Sequence, residues 1–176
     1  MSDNLLYFGD NLAITHDYIA NESVDLVYLD PPFNSNRDYS VIFAEPETPQ
    51  SDAQIKAFGD TWRWTQQTEL AFDAISSVAP ARVVELLNGF IGFLGRNDLT
   101  AYLIMLTERL LELRRVLKPN GSLFLHCDPT ASHYIKIILD AVFGKDRMIN
   151  EFVWQRTSPK SHASLRPSRN HDIIFW

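Results

Sequence analysis

The stretch Val24-Asp25-Leu26-Val27-Tyr28-Leu29-Asp30-Pro31-Pro32-Phe33 decides how the rest of the chain is read. Val24, Leu26, Val27, Tyr28 and Leu29 make a nearly continuous apolar run of strand length. That pattern belongs to a strand buried on both faces of a parallel sheet. Two prolines stop the run, so Asp30 stands at its carboxyl end. In open α/β sheets ligands bind in the crevice outside the strand tips, where the covering helices leave room.

An acid, two rigid prolines and an aromatic ring at such a tip suit the handling of a planar amine. The exocyclic amino group of a nucleobase is a poor nucleophile, because its lone pair is delocalised into the ring. The Asp30 carboxylate and a prolyl carbonyl can each accept one amino hydrogen, which favours a pyramidal nitrogen with its lone pair directed at an electrophile. Pro31 and Pro32 carry no N–H to compete for those acceptors, and their rings fix the carbonyls in advance. Phe33 offers a face for a base swung out of the duplex, a stacking worth about 1–3 kcal/mol. From these residues alone, a strand followed by a proline-rich turn with a capping aspartate is an equal reading. Asn34 either reaches the flipped base or satisfies its own loop backbone.

Working outward, the pattern alternates strands and helices. Leu5 to Phe8 reads as a strand ending at Gly9-Asp10, with a weak helix over about residues 11–20 behind it. Asp10 either helps to form the crevice beside Asp30 or simply makes a good strand-to-helix turn. Residues 34–80 read as an irregular insertion, within which Trp62 and Trp64 suggest a small pad packed on the domain, with a platform for a base or DNA as the lesser reading. Ala81 to Leu94 can be helical despite Gly89 and Gly92. Leu103, Leu106, Leu110, Leu113 and Leu117 recur at three and four residues and mark the clearest helix, from about Asp98 or Leu99 to Val116, with Asp98 as N-cap and Pro119-Asn120-Gly121 closing the element. Ser122 to Asp128 is a second buried strand and Thr130 to Phe143 a helix closed by Gly144. Ile149 to Trp154 and Asp172 to Trp176 are the last strands. His126, inside a strand, reads as a packed core histidine, and Asp128 as the cap of the helix that follows.

Composition places the chain among globular proteins: 176 residues, 45% hydrophobic and 12% aromatic, can bury one core without disulfide staples. The single cysteine, Cys127, excludes a disulfide framework and a Cys-based zinc site, and it reads as a small buried residue. No metal is expected. There is no signal peptide and no apolar run of membrane-spanning length, so a cytoplasmic location is expected. The net charge of −6 sits awkwardly with nucleic-acid binding, but it is unevenly spread. Residues 1–80 carry thirteen acidic and three basic side chains, whereas residues 145–171 carry Lys145, Arg147, Arg156, Lys160, Arg166 and Arg169 against Asp146 and Glu151. The basic end is where a DNA path would run, with Arg156, Lys160, Arg166 and Arg169 as its contacts.

Five segments in order carry a resemblance that extends over essentially the whole chain. They are Tyr7 to Leu12, Ser23 to Ser35, Leu117 to Asp128, Ile149 to Trp154 and Arg169 to Trp176. Together they resemble the DNA amino-methyltransferases of the permuted, beta type, including the modification subunits of type III restriction systems. The resemblance implies transfer of a methyl group from S-adenosylmethionine to the N6 amine of adenine, by direct displacement and without a covalent enzyme intermediate. It carries over Asp30, Pro31, Pro32 and Phe33 as the catalytic site, with Asp30 and Asp10 bordering the cofactor. Two alternatives stay open. One is N4-cytosine methylation, although family members acting on cytosine more often have Ser at the position of Asp30. The other is a non-catalytic nucleic-acid-binding remnant.

The implied fold is α/β, a partial Rossmann-like methyltransferase domain spanning residues 1–176. Its sheet is expected to be mostly parallel with an antiparallel edge hairpin, and to lack the first two conventional strands. The family's glycine-rich cofactor loop has no counterpart, since no two of Gly9, Gly59, Gly89, Gly92, Gly95, Gly121 and Gly144 are separated by a single residue. The expectation is therefore an N-terminal fragment, inactive alone, of a protein whose partners are double-stranded DNA and a restriction subunit or second copy.

Overall fold

The computed structural model describes residues 4–31, 38–41, 55–59, 62–156 and 170–176. In chain order the elements are α1 (Asn11–Tyr18), β1 (Val24–Leu29), β2 (Asp38–Val41), β3 (Ile55–Gly59), α2 (Gln66–Val78), α3 (Ala81–Leu94), α4 (Asp98–Val116), β4 (Leu117–Cys127), α5 (Ser132–Phe143), β5 (Glu151–Gln155) and β6 (His171–Phe175). Strands β1, β4, β6 and β5 form one sheet in that order, and β2 pairs with β3 separately. The β1–β4 pair is parallel, as a connection carrying three helices allows. The β4–β6 and β6–β5 pairs are antiparallel.

The architecture is thus α/β, but the sheet is mixed. One parallel and two antiparallel pairings stand where a mostly parallel sheet was expected. The antiparallel β5–β6 pair does occupy the edge. Alternation along the strands divides the sheet into two faces. Leu125, Cys127, Ile173 and Phe175 join the buried cluster built by α3, α4 and α5, while Leu26, Tyr28, Phe124 and Ile174 lie outside it. At the centre of the helical layer, Thr100 to Leu106 of α4 are buried on every side, because α1, α2, α3 and α5 all pack against α4. The leucine row marks only one of its contact surfaces.

Several boundaries differ from the sequence reading. Leu5 to Phe8 is not a strand: Leu6 and Phe8 stand almost wholly in solvent, and no described strand supplies the hydrogen bonds an isolated segment needs. β1 is less enclosed than its apolar run suggests. It pairs only with β4 among the described residues, and Leu26 and Tyr28 point to the face without helices. The stretch read as irregular up to Pro80 contains α2, which opens with a capping box between Thr65 and Thr68 and buries only Ile75. Trp62 and Trp64 do pack on the core, and Trp64 Nε1 donates to Glu69 Oε1. Asn97, not Asp98, caps α4 by accepting from the Thr100 N–H.

Helix α4 ends at Val116, as read from the sequence, but Pro119-Asn120-Gly121 does not follow it as a terminating turn. Those three residues instead form an irregularity inside β4, where Val24 pairs with Leu117 and Leu26 already with Ser122. Gly121 permits the close approach there, since a Cβ would sit 3.1 Å from the Asp25 carbonyl oxygen and 2.7 Å from Leu117 Cδ1. None of the described helices is long and apolar enough to cross a membrane.

Candidate active site

The register of the sheet gathers four ionisable side chains at one end of the face on which no described helix packs. Leu29 pairs with Leu125, so the next step along both parallel strands sets Asp30 beside His126. His126 pairs with Ile174, and Asp172 lies two residues from Ile174 on the same face of β6. Asp172 pairs in turn with Trp154, two residues before Arg156. The side chains follow the strand order. Asp30 Oδ1 lies 2.9 Å from His126 Nδ1, His126 Nε2 is 3.3 Å from Asp172 Oδ2, and Asp172 Oδ1 is 3.3 Å from Arg156 Nε.

Exposure falls and rises again along this row: 61% for the Asp30 side chain, 19% for His126, 3% for Asp172 and 40% for Arg156. A carboxylate as buried as Asp172 requires compensation, and the Arg156 guanidinium stands on one side of it and the His126 imidazole on the other. Asp30 is held at one oxygen and open to solvent, and the adjoining Pro31 is buried. Pro32, Phe33, Asn34, Lys160, Arg166 and Arg169 lie outside the described residues.

The other residues singled out from sequence have clear local partners. Asp10 caps α1 by accepting from the Leu12 N–H at 2.8 Å, and both of its oxygens accept from Arg109 Nη2, at 3.0 and 2.9 Å. Its carboxylate is therefore engaged in fixing α1 against α4. Asp128 takes the Thr130 N–H and hydroxyl in a local turn, and it does not cap α5 as expected, because the N-cap position of that helix is Ala131. Arg156 faces Asp172 and is less available to a phosphate than its place in a basic stretch suggests. Cys127 is buried on the opposite face from His126. Burial, then the negative charges of Asp128, Asp172 and Glu151, push its thiol up to about 12.

Sequence reasoning passed over His126 and did not single out Asp172. Neither carries a local signal, because a histidine inside an apolar strand reads as core until the register shows what stands beside it. A cavity of about 600 Å³ lies at the opposite end of the sheet, lined by residues that include Leu117, Lys118, Gly121, Phe143, Met148 and Trp176. It is remote from Asp30. Among the described residues no cluster of three or more His, Cys, Asp or Glu could hold a metal ion.

Comparison with known proteins bears directly on this arrangement. A family model described as DNA methylase, covering N6 and N4 methyltransferases, matches residues 24–176. The chain is similar to the Mod subunit of the type III restriction-modification enzyme EcoP15I of Escherichia coli, at 21% identity over 176 residues. It is likewise similar to the StyLTI Mod subunit of Salmonella typhimurium, at 26% identity over 176 residues. It also resembles the type II methyltransferase M.EcaI of Enterobacter cloacae, at 20% identity over 175 residues. Each match takes in 99% of this chain, but the chain spans only 24%, 24% and 29% of those relatives' lengths.

Proposed function

The chain belongs to the DNA methylase family, and from that premise we propose that it carries the amine-activating part of a site-specific DNA methyltransferase acting on the N6 amine of adenine in double-stranded DNA. The supporting observation is the corner at the carboxyl end of β1, where the exposed Asp30 carboxylate is held at one oxygen by His126 beside the buried Pro31.

S-adenosylmethionine is the methyl donor in this reading; when bound it supplies an electrophilic sulfonium methyl, whose C–S bond breaks with its electron pair going to sulfur as the N–C bond forms. The open side of Asp30 fits a cationic donor. Asp10, already engaged by Leu12 and Arg109, contributes by fixing α1 and the crevice wall.

The chain's own residues act on the amine. Asp30 and a prolyl carbonyl of Pro31 or Pro32 accept its two hydrogens, localise the lone pair and counter the positive charge that grows on nitrogen. Phe33 stacks on the extruded base, and Asn34 contacts its edge. The methylated nitrogen then sheds one N–H proton to water, so no buried base is required. Lys160, Arg166 and Arg169 contact DNA phosphates. A restriction subunit or a second copy of the chain is a further partner, and the reaction belongs in the cytoplasm.

The test is methyl transfer by the complete gene product from radiolabelled S-adenosylmethionine to duplex DNA, followed by digestion to nucleosides and mass analysis. N6-methyladenine is expected, and Asp30→Ala should lower transfer by at least about a hundredfold, the usual scale for removing one preorganised electrostatic contact. N4-methylcytosine without N6-methyladenine would overturn the base assignment. DNA binding without any methyl transfer would favour the non-catalytic remnant.

A further inference from the structure

We propose that His126 is a positioning residue for Asp30, itself held in place by Asp172 and Arg156, an inference that rests on the methyltransferase reading above. Asp30 is the last residue before the proline step, and its side chain stands mostly in water. Left alone, it would sample several rotamers and offer either oxygen to the amine in changing directions. The Nδ1 contact removes that freedom: at 2.9 Å from Oδ1 it engages one oxygen, leaving the other as the acceptor for the substrate. A carboxylate can only accept, so the ring nitrogen facing Asp30 is assigned the hydrogen.

The imidazole must in turn be held. His126 is anchored in β4 between β1 and β6, and its far nitrogen faces Asp172, whose side chain is almost wholly buried. An exposed surface pair would not need a second, buried carboxylate behind the histidine, nor a guanidinium behind that. The row Asp30, His126, Asp172, Arg156 follows the sheet order, with His126 and Asp172 inside β4 and β6 and with Asp30 and Arg156 one residue past the ends of β1 and β5, so the strand register sets where each group stands. Such outer groups set the direction of the acceptor before the amine arrives, which is how a preorganised site lowers a barrier.

The test compares His126→Ala, His126→Asn and His126→Gln in the complete gene product. Single-turnover methyl transfer is measured alongside KM for S-adenosylmethionine and for DNA. An asparagine amide nitrogen can stand near the place of Nδ1, whereas a glutamine amide falls nearer Nε2. His126→Ala should slow transfer by about tenfold to a hundredfold, the range typical for orienting groups behind a functional side chain, with both KM values little changed. His126→Asn should recover most of the rate and His126→Gln little of it. Unchanged transfer in His126→Ala, or equal losses in the Asn and Gln variants, would overturn the inference. The Asn and Gln comparison keeps it falsifiable even if the alanine variant fails to fold. Failure is distinguishable from that of the parent reading: an unsubstituted enzyme that does not methylate DNA defeats both, whereas an active enzyme indifferent to position 126 defeats this inference alone.

Discussion

At residue 127 the sulfur faces the helical layer while its neighbour His126 faces the charged row, so one step along β4 separates an inert group from an engaged one. The thiol is pushed from an ordinary value of 9.0 up to about 12, first by burial and then by nearby carboxylates. It therefore stays protonated in the fold at neutral pH and cannot act as a thiolate nucleophile. Iodoacetamide at pH 8 should modify Cys127 at a small fraction of its rate in the urea-unfolded chain. The fold holds a proton that the unfolded chain releases, so this contribution to stability is complete below about pH 9 and is lost as pH rises towards 12. Urea unfolding followed between pH 8 and 11 should show this decline, and Cys127→Ala should flatten it.

Among elements, α1 shows how little a helix can depend on apolar packing. None of its residues is buried, and it has no apolar face to bury. Two arginines of α4 hold it instead. Arg109 grips the capping Asp10 and also donates to Asn11, while Arg115 donates to the carbonyls of Thr15 and Ile19 and to Asn21. Glu112 bonds the Arg115 guanidinium in place and raises its pKa further. The double variant Arg109→Ala, Arg115→Ala should release α1 and leave α4 and β4 standing. Amide exchange at Asn11–Tyr18 should accelerate strongly while the interior of α4 keeps its protection, and global stability should fall by roughly 1–3 kcal/mol, the scale of a few partly exposed charged hydrogen bonds. Uniform loss of protection would show that α1 belongs to the core.

Across the whole molecule, charge is polarised between an acidic first half and a basic stretch near residue 160. The DNA path proposed along that stretch would reconcile a net charge of −6 with phosphate binding, because attraction depends on the local field more than on the sum. Arg166→Ala and Arg169→Ala should each weaken DNA binding and reduce its salt dependence by about one unit of slope, the change that follows when one phosphate is no longer neutralised. Arg156→Ala should behave differently, slowing methyl transfer with a smaller change in slope, because Arg156 backs Asp172. Fluorescence anisotropy over a salt series separates the two outcomes. If neither Arg166 nor Arg169 alters the slope, the basic stretch lies off the DNA path.

The sequence by itself determined the elements whose signals are local. The apolar run stopped by prolines set β1 and its tip, and leucine spacing set α4. Gly144 set the end of α5, and ordered motifs over most of the chain set the family. It was silent on α2, whose polar surface hides its one buried side, and it misread Leu5 to Phe8, where strand composition found no described strand to pair with. Tertiary structure alone decided what surrounds Asp30. A strand's identity is written in its own residues, but its register depends on residues far away in the chain. Only the pairing of β1 with β4, β4 with β6 and β6 with β5 brings residues 30, 126, 172 and 156 into one row.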